Sequence, residues 1–420
     1  MNRLRVFLVF GTRPEAIKMA PVIQECLRRG DAVETIVCST GQHREMLDQV
    51  TAYFGIRADL DLQLMRPNQS LADLTARCLQ GLDGALARYQ PHCLIAQGDT
   101  TTVMAAAVAA FYRRLPLVHV EAGLRTGNLQ SPWPEEFNRR VASLATHLHC
   151  APTQWAADNL RAEKIPRETV HVTGNTVIDA LLWTLAKERD RSPMWQEKYA
   201  ELGRGRMVLI TGHRRENFGD GMEQICHAVA RLAARFPDVH FLYPVHLNPH
   251  VREPVHRLLA HYPNVHLRAP APYPEFVWLM DRAALILTDS GGVQEEAPSL
   301  HKPVLVMRDT TERPEAVEAG AVRLVGTDVE RIVGQVSLLL LDAVEYAARQ
   351  IQQNPYGDGQ AASRIVELAL RQGWQDRVSP DKPDKRDKLG GFGDSSNRVC
   401  PLPPSPATET RMAGVSLKNP

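Results

Sequence analysis

Little in this sequence of 420 residues points to a covalent or metal scaffold. Its seven cysteines (Cys26, Cys38, Cys78, Cys93, Cys150, Cys226 and Cys400) are odd in number and scattered. None stands at CxxC spacing, which argues against a disulfide framework and against a zinc knuckle. No uncharged run approaches the roughly 20 residues of a membrane helix. The first residues enter an apolar, strand-like run rather than a basic stretch followed by a cleavage site. Lysine and arginine number 49 against 48 acids, a net charge of +1, so no bulk field draws nucleic acid or a membrane surface. The expectation is a cytoplasmic protein with no nucleic-acid and no membrane partner, in which any anionic ligand is held locally. None of the fifteen histidines stands in an HExxH pattern, and no metal or cofactor is expected. Also missing is the dinucleotide fingerprint: the loop after the first apolar run has one glycine where GxGxxG needs three, which weakens any case for NAD.

What is present is an alternation. Short apolar runs rich in β-branched residues fall near 4–10, 33–39, 92–98, 116–121, 147–151 and 170–173, and again near 207–212, 239–245, 265–269, 284–289, 303–307 and 321–325. Between them, segments such as 14–29, 69–89, 220–236 and 292–300 carry helical apolar spacing. Strands alternating with helices imply parallel sheets covered on both faces, with ligands at the strands' carboxyl ends. The fold class is therefore α/β, with two doubly wound domains. A charged stretch near 176–205 separates the two strand sets. The division expected is an N-terminal domain over 1–175, a C-terminal domain over 176–357, and a last amphipathic helix near 358–374 that returns to the first. Residues 375–420 are rich in proline, lysine, aspartate and serine and are expected to be disordered.

Six segments carry chemistry. In FGTRPEAIK, Thr12 and Glu15 have capping-box spacing and Pro14 suits the first helical turn, but capping does not explain the cations Arg13 and Lys18 at a ligand-binding strand end. GDTTT and HVEAGLRT put Asp99 and Glu121 at the ends of successive strands. SPWPEE brings Glu135 and Glu136 to a helix start, where a favourable dipole and a pair with Arg139 explain them without function. Three acids in one crevice would repel one another, raise a pKa and poise a group for proton transfer. TGHRREN sets His213 beside Arg214 and Arg215, and His246 repeats the placement one strand later. In TDSGGVQEEA, strand, small-residue turn and helix present free N–H groups suited to phosphate. Glu296 follows one turn in, as an acceptor for ribose hydroxyls. Arg308 and Arg313 are candidates to complete an anion clamp.

FGTRPEAIKMAP, GDTTT, HVEAGLRTG, SPWPEE, GNTVIDAL, TGHRREN, LTDSGGVQEEAPSL and RDTTERPEAV together resemble the non-hydrolysing UDP-N-acetylglucosamine 2-epimerases, in order and spacing, from about residue 4 to about 370. The resemblance implies a GT-B fold, two Rossmann-like halves with the ligand in the interdomain cleft. It implies reversible inversion at carbon 2 of UDP-N-acetylglucosamine, giving UDP-N-acetylmannosamine by elimination and re-addition of UDP through 2-acetamidoglucal, for bacterial surface polysaccharide synthesis. It implies catalytic roles for Asp99, Glu121, Glu135 and His213, and substrate binding by Arg13, Lys18, Phe276, Ser290, Gly291, Gly292, Glu296 and Arg313. A second, activating UDP-N-acetylglucosamine would touch Gln42, His43, Arg66, Glu136, Arg214 and His246. A homodimer is expected on the same ground. Two departures stand out: Ala271 replaces a nucleotide-binding glutamine of some relatives, and Gln97 replaces a histidine common before GDTTT. Rival readings are a GT-B glycosyltransferase, an epimerase for a decorated sugar nucleotide, a hydrolytic member, and an inactive UDP-sugar sensor. The intact acids and the GDTTT and HVEAGLRT segments favour epimerisation.

Overall fold

Every apolar run read as a strand forms one in the computed structural model, which describes residues 2–41, 44–66 and 69–376, with side chains left out at 44–46. The first sheet holds β1 (Leu4–Phe10), β2 (Val33–Ser39), β3 (Leu60–Asp61), β4 (Cys93–Gln97), β5 (Leu117–Val120), β6 (Leu148–Ala151) and β7 (Val170–Val172), in the order β3-β2-β1-β4-β5-β6-β7. The second holds β8 (Arg206–Thr211), β9 (Val239–Pro244), β10 (Val265–Arg268), β11 (Leu285–Thr288), β12 (Val304–Val306) and β13 (Val322–Leu324), in the order β10-β9-β8-β11-β12-β13. All pairings are parallel. The strand not anticipated is β3, whose two residues at a sheet edge are too short to leave a periodic signal.

Burial on both faces explains why the strands read as continuous apolar runs. Along β1, Leu4, Val6, Leu8 and Phe10 face the helix Arg13–Arg28, while Phe7 and Val9 pack into a separate core beneath the alanine-rich helix Thr101–Tyr112. In β8 the same alternation sends Val208 and Ile210 to one core, Met207 and Leu209 to another. The helix Thr176–Asp190 follows the first sheet and joins its cores to the second: Ala180 packs with β1, Val177 and Leu181 with β8 and β11. The helix Ala361–Arg371 lies against the helix Arg13–Arg28 through Ala362, Ile365, Val366 and Ala369. Asp179 accepts hydrogen bonds from the amides of Ala361 and Ala362 and so holds that helix's first turn. Trp374, in a short turn over Trp374–Asp376, is buried in the same core. The proline-rich segment read as disordered lies, from residue 377 on, outside the described residues.

In each sheet the strand order reverses beside the strand that comes first in sequence, between β1 and β4 and between β8 and β11. Connections there leave in opposite directions and open a crevice at the strands' carboxyl ends. The Thr12–Arg13 and Asp99 loops meet at the first crevice, the His213 and Ser290 loops at the second.

Candidate active site

The first crevice continues into a cavity of about 350 Å³ bordered by Lys18, Asp99, Glu121, Glu135 and Arg139, and by Arg214, Glu312 and Arg313 from the second sheet's loops. Glu121 follows β5 directly and holds a φ of 63°, a left-handed conformation uncommon for residues other than glycine. Two residues on, the turn requires a glycine: Gly123, with φ 92°, lies where a Cβ would come 2.1 Å from the carbonyl oxygen of Ala156. Glu121 is buried and accepts hydrogen bonds from Lys18 Nζ at 2.5 Å, Asn175 Nδ2 at 3.1 Å and the Gln97 amide. Burial opposes its charge, but Lys18 and Arg313 outweigh that and hold its pKa below the ordinary carboxylate value. Asp99 differs. Burial lifts its pKa; Arg139, which donates at 2.5 Å, opposes the rise, and Glu121 adds to it. Two neighbouring carboxyls are thus pushed apart in acidity, the arrangement that lets one stay ionised while the other holds a proton. Glu135 opens the helix Glu135–Ala145 and lines the same cavity.

A second cavity, of about 310 Å³, is lined by Arg13, His213, His246, Ala271, Phe276 and Ser290 among others. The two share a wall, since Thr12 and Arg13, and likewise His213 and Arg214, divide between them. His213 Nδ1 lies 3.2 Å from the buried carboxylate of Asp289, which also accepts from the amides of His213 and Arg214. Burial keeps the His213 pKa below its usual value despite that carboxylate. Its ring stacks on His246 with centroids 5.8 Å apart. Ser290 stands at the N-cap position of the helix Gly291–Glu296 without a side-chain capping bond. Gly291 has a steric reason to be glycine: a Cβ there would come 2.6 Å from the Arg313 guanidinium carbon. Arg313 is held over the turn by Glu295 at 2.7 Å. These elements put N–H groups, a histidine and a cation around a space suited to a diphosphate.

The UDP-N-acetylglucosamine 2-epimerase family profile matches residues 25–370. The UDP-N-acetylglucosamine 2-epimerase of Escherichia coli K12 is 55% identical over 372 residues, 87% of this chain and 98% of that protein. The chain belongs to the non-hydrolysing UDP-N-acetylglucosamine 2-epimerases. It is accordingly an isomerase of the α/β, GT-B class. The Neisseria meningitidis UDP-GlcNAc 2-epimerase, solved bound to UDP-GlcNAc, superposes with a TM-score of 0.82 at 49% identity, covering 88% of this chain and all of that one. The Methanocaldococcus jannaschii enzyme, solved with UDP-GlcNAc and UDP, gives 0.73 at 29% identity, with 88% and 100% covered.

Other residues of this epimerase singled out from sequence sit as follows. Lys18 reaches the cavity but is engaged by Glu121, with Glu295 3.9 Å away. Glu15 completes the capping box with Thr12 and also accepts from Thr100 at 2.5 Å, tying the two crevice loops together. Glu296 is buried and accepts from the Tyr273 hydroxyl at 2.8 Å; burial raises its pKa to about 7. Gly292 is the second residue of the helix Gly291–Glu296, where an added Cβ would meet Glu296 Oε2 and Ser290 Oγ at an ordinary contact distance of 3.9 Å. Arg308 pairs with Glu216 and Glu312 and borders neither cavity. Glu136 is fully buried and accepts from the Thr126 amide, Arg139 and Arg140. Arg139 therefore pairs with Glu136 and Asp99 rather than with Glu135 four residues before it. Arg66 is exposed and borders neither cavity. Gln42 and His43 lie outside the described residues. Sequence reasoning gave no site role to Arg139, Asn175 or Glu295. Asn175 lies in GNTVIDAL and Glu295 in SGGVQEE, so the segments were visible and their partners were not.

Proposed function

We propose that this chain interconverts UDP-N-acetylglucosamine and UDP-N-acetylmannosamine by eliminating and re-adding UDP. The observation that carries the reading is the convergence of Asp99, Glu121 and Glu135 on one cavity that also receives Arg214 and Arg313. Carbon 2 has no adjacent carbonyl to acidify its hydrogen, so the chemistry needs a good leaving group at carbon 1. A base takes the carbon 2 proton, the carbon 1–oxygen bond breaks with its electron pair going to UDP, and a carbon 1–carbon 2 double bond forms. That product is 2-acetamidoglucal. A proton then reaches carbon 2 from the other face while a UDP phosphate oxygen re-forms the bond to carbon 1.

In this reading Asp99, biased toward its protonated form, and Glu135, for which no donor is found among the described residues, exchange protons with carbon 2. Glu121, ionised and held by three donors, supports positive charge at the sugar centre, a role that preorganised charge performs well. His213, with Arg13, Lys18, Ser290, Gly291, Gly292 and Arg313, would receive the diphosphate and sugar, with Phe276 beneath the uracil and Glu296 at the ribose. The lobes would be 1–175 with the returning helix near 358–374, and 176–357. The product would supply surface polysaccharide synthesis from the cytoplasm, a compartment that suits six buried free cysteines. A homodimer is supported by exposed Phe111, Tyr112, Phe137 and Leu144 on two helices packed side by side. Sedimentation at micromolar concentration tests it, with a monomer overturning it.

Incubation with UDP-N-acetylglucosamine in heavy water tests the chemistry. Both epimers should gain one deuterium at carbon 2, and an isotope placed in the bridging oxygen should scramble into the diphosphate. Epimerisation without solvent label, or with that oxygen fixed, would exclude elimination.

A further inference from the structure

Between the two crevices runs a chain of charges that simple substrate binding does not require. Arg313 Nε donates to Glu295 Oε1 at 2.7 Å. The other oxygen of Glu295 accepts from Asn175 Nδ2 at 3.2 Å and lies 3.9 Å from Lys18 Nζ. Both of those donors also serve Glu121 Oε1, Asn175 at 3.1 Å and Lys18 at 2.5 Å. Glu295 and Glu121 are both nearly inaccessible, and they share one ammonium and one amide. Asn175 cannot drift, because its Oδ1 accepts from the Val177 amide at 3.1 Å and caps the helix Thr176–Asp190, while its own amide donates to the Tyr356 carbonyl at 2.7 Å.

Shared donors between two buried carboxylates make a balance, because a low-dielectric interior magnifies any change in one partner's charge. We propose that Glu295 and Asn175 are positioning residues that couple anion binding at Arg313 to the charge held at Glu121. A diphosphate drawn against Arg313 takes over part of its charge. Glu295, less compensated, then draws Lys18 and the Asn175 amide toward itself and away from Glu121. Glu121 gains basicity only when the leaving group is seated, so an empty site keeps its carboxylate quiet. No bond is made or broken in this step; a cation moves by an ångström or so between two acceptors. The groups facing Glu121 are Lys18 from the first helix, Asp99 and Gln97 at β4, His119 on its own strand, Asn175, and Glu295 and Arg313 from the second sheet's loops. Of these, Lys18 and Asn175 touch both carboxylates.

This inference rests on the reading of Glu121 as the ionised carboxylate that supports the sugar centre. The test compares pH profiles of kcat/KM, which report the free enzyme, with those of kcat, which report the complex. In the wild type the acid limb of kcat should lie about one pH unit above that of kcat/KM, the scale of a nearby charge displaced. In Glu295→Gln the balance is gone, Lys18 stays on Glu121, and the two limbs should draw together to less than half the wild-type separation. Asn175→Ser keeps a side chain able to cap the helix but too short to bridge the carboxylates. It should move the limbs the same way by less, and it carries the test if Glu295→Gln does not fold. Wild-type limbs that coincide, or a separation unchanged in the folded variants, would overturn the coupling alone. A wild type that converts no UDP-N-acetylglucosamine would overturn the proposed function and the coupling with it.

Discussion

The two crevices are built on the same topology and do opposite things with charge. At the first, the strand ends carry carboxylates, and each is met by a cation from elsewhere in the chain: Lys18 for Glu121, Arg139 for Asp99. At the second, the loops carry a histidine, backbone N–H groups and Arg313, and the acids Asp289 and Glu295 sit behind them as supports. One fold therefore sets carboxylates at one sheet and groups suited to an anion at the other, joined through Lys18, Asn175 and Glu295.

The largest effect expected from breaking that division is on turnover. Asp99→Asn and Glu121→Gln should each lower kcat by about 10²- to 10⁴-fold, the usual worth of a positioned acid or base. UDP affinity by calorimetry should stay within about threefold for Asp99→Asn, and should tighten by up to about tenfold for Glu121→Gln, the reciprocal of the coupling through Glu295. A joint collapse of UDP binding would show that grip and proton transfer are not separable.

Glu296 sharpens the comparison, because it is a carboxyl on the anion side. Its folded pKa of about 7 lies above its ordinary value near 4.5, chiefly from burial. Its contribution to stability is therefore fully present below pH 4.5 and is lost as pH rises through 7. Glu296→Gln, neutral throughout and still able to accept from Tyr273, should be more stable than wild type at pH 8 by up to about 3 kcal/mol. The gain should vanish near pH 4.5. Urea midpoints at the two pH values measure it, and a gain independent of pH would contradict the assignment.

Gly291→Ala should act first on the anion side. Displacing Arg313 from the turn removes a charge-assisted contact, worth on the order of 1.5–3 kcal/mol, so UDP should bind about ten- to a hundredfold more weakly. The variant's affinity is read by calorimetry, and unchanged affinity would mean that Arg313 does not need the space above the glycine. Smallest is the tie between the halves: Thr153 donates to Glu315 at 2.6 Å and caps the helix Gln154–Ala162. Thr153→Val should cost about 1 kcal/mol of stability, seen as a lower urea midpoint with kcat retained.

Much of this was readable from local pattern. The apolar runs marked all strands but β3, and Thr12, Pro14 and Glu15 announced the first helix by the rules of its first turn. Those signals are local, because a strand's burial and a helix's cap depend on neighbours within a few residues. Candidate acids were legible for the same reason: Glu121 follows β5 directly and Asp99 follows β4 after one glycine. Their partners were not. Lys18 reads as an anion ligand from its place about one turn into the first helix, yet it sits on a carboxylate 103 positions away. Arg139 reads as Glu135's helical neighbour, yet it turns inward to Asp99 across 40 positions.

By itself the sequence determined two doubly wound sheets, the loops that bear the acids, the histidine and the glycine turn, and membership of a family. Tertiary structure alone decided which acid is held ionised and which is pushed toward its protonated form, and that Glu121 and Glu295 share Lys18 and Asn175. The reason is physical. Acidity inside a protein is set by burial and by charges a few ångströms away, and those distances exist only after segments far apart in the chain have been packed together.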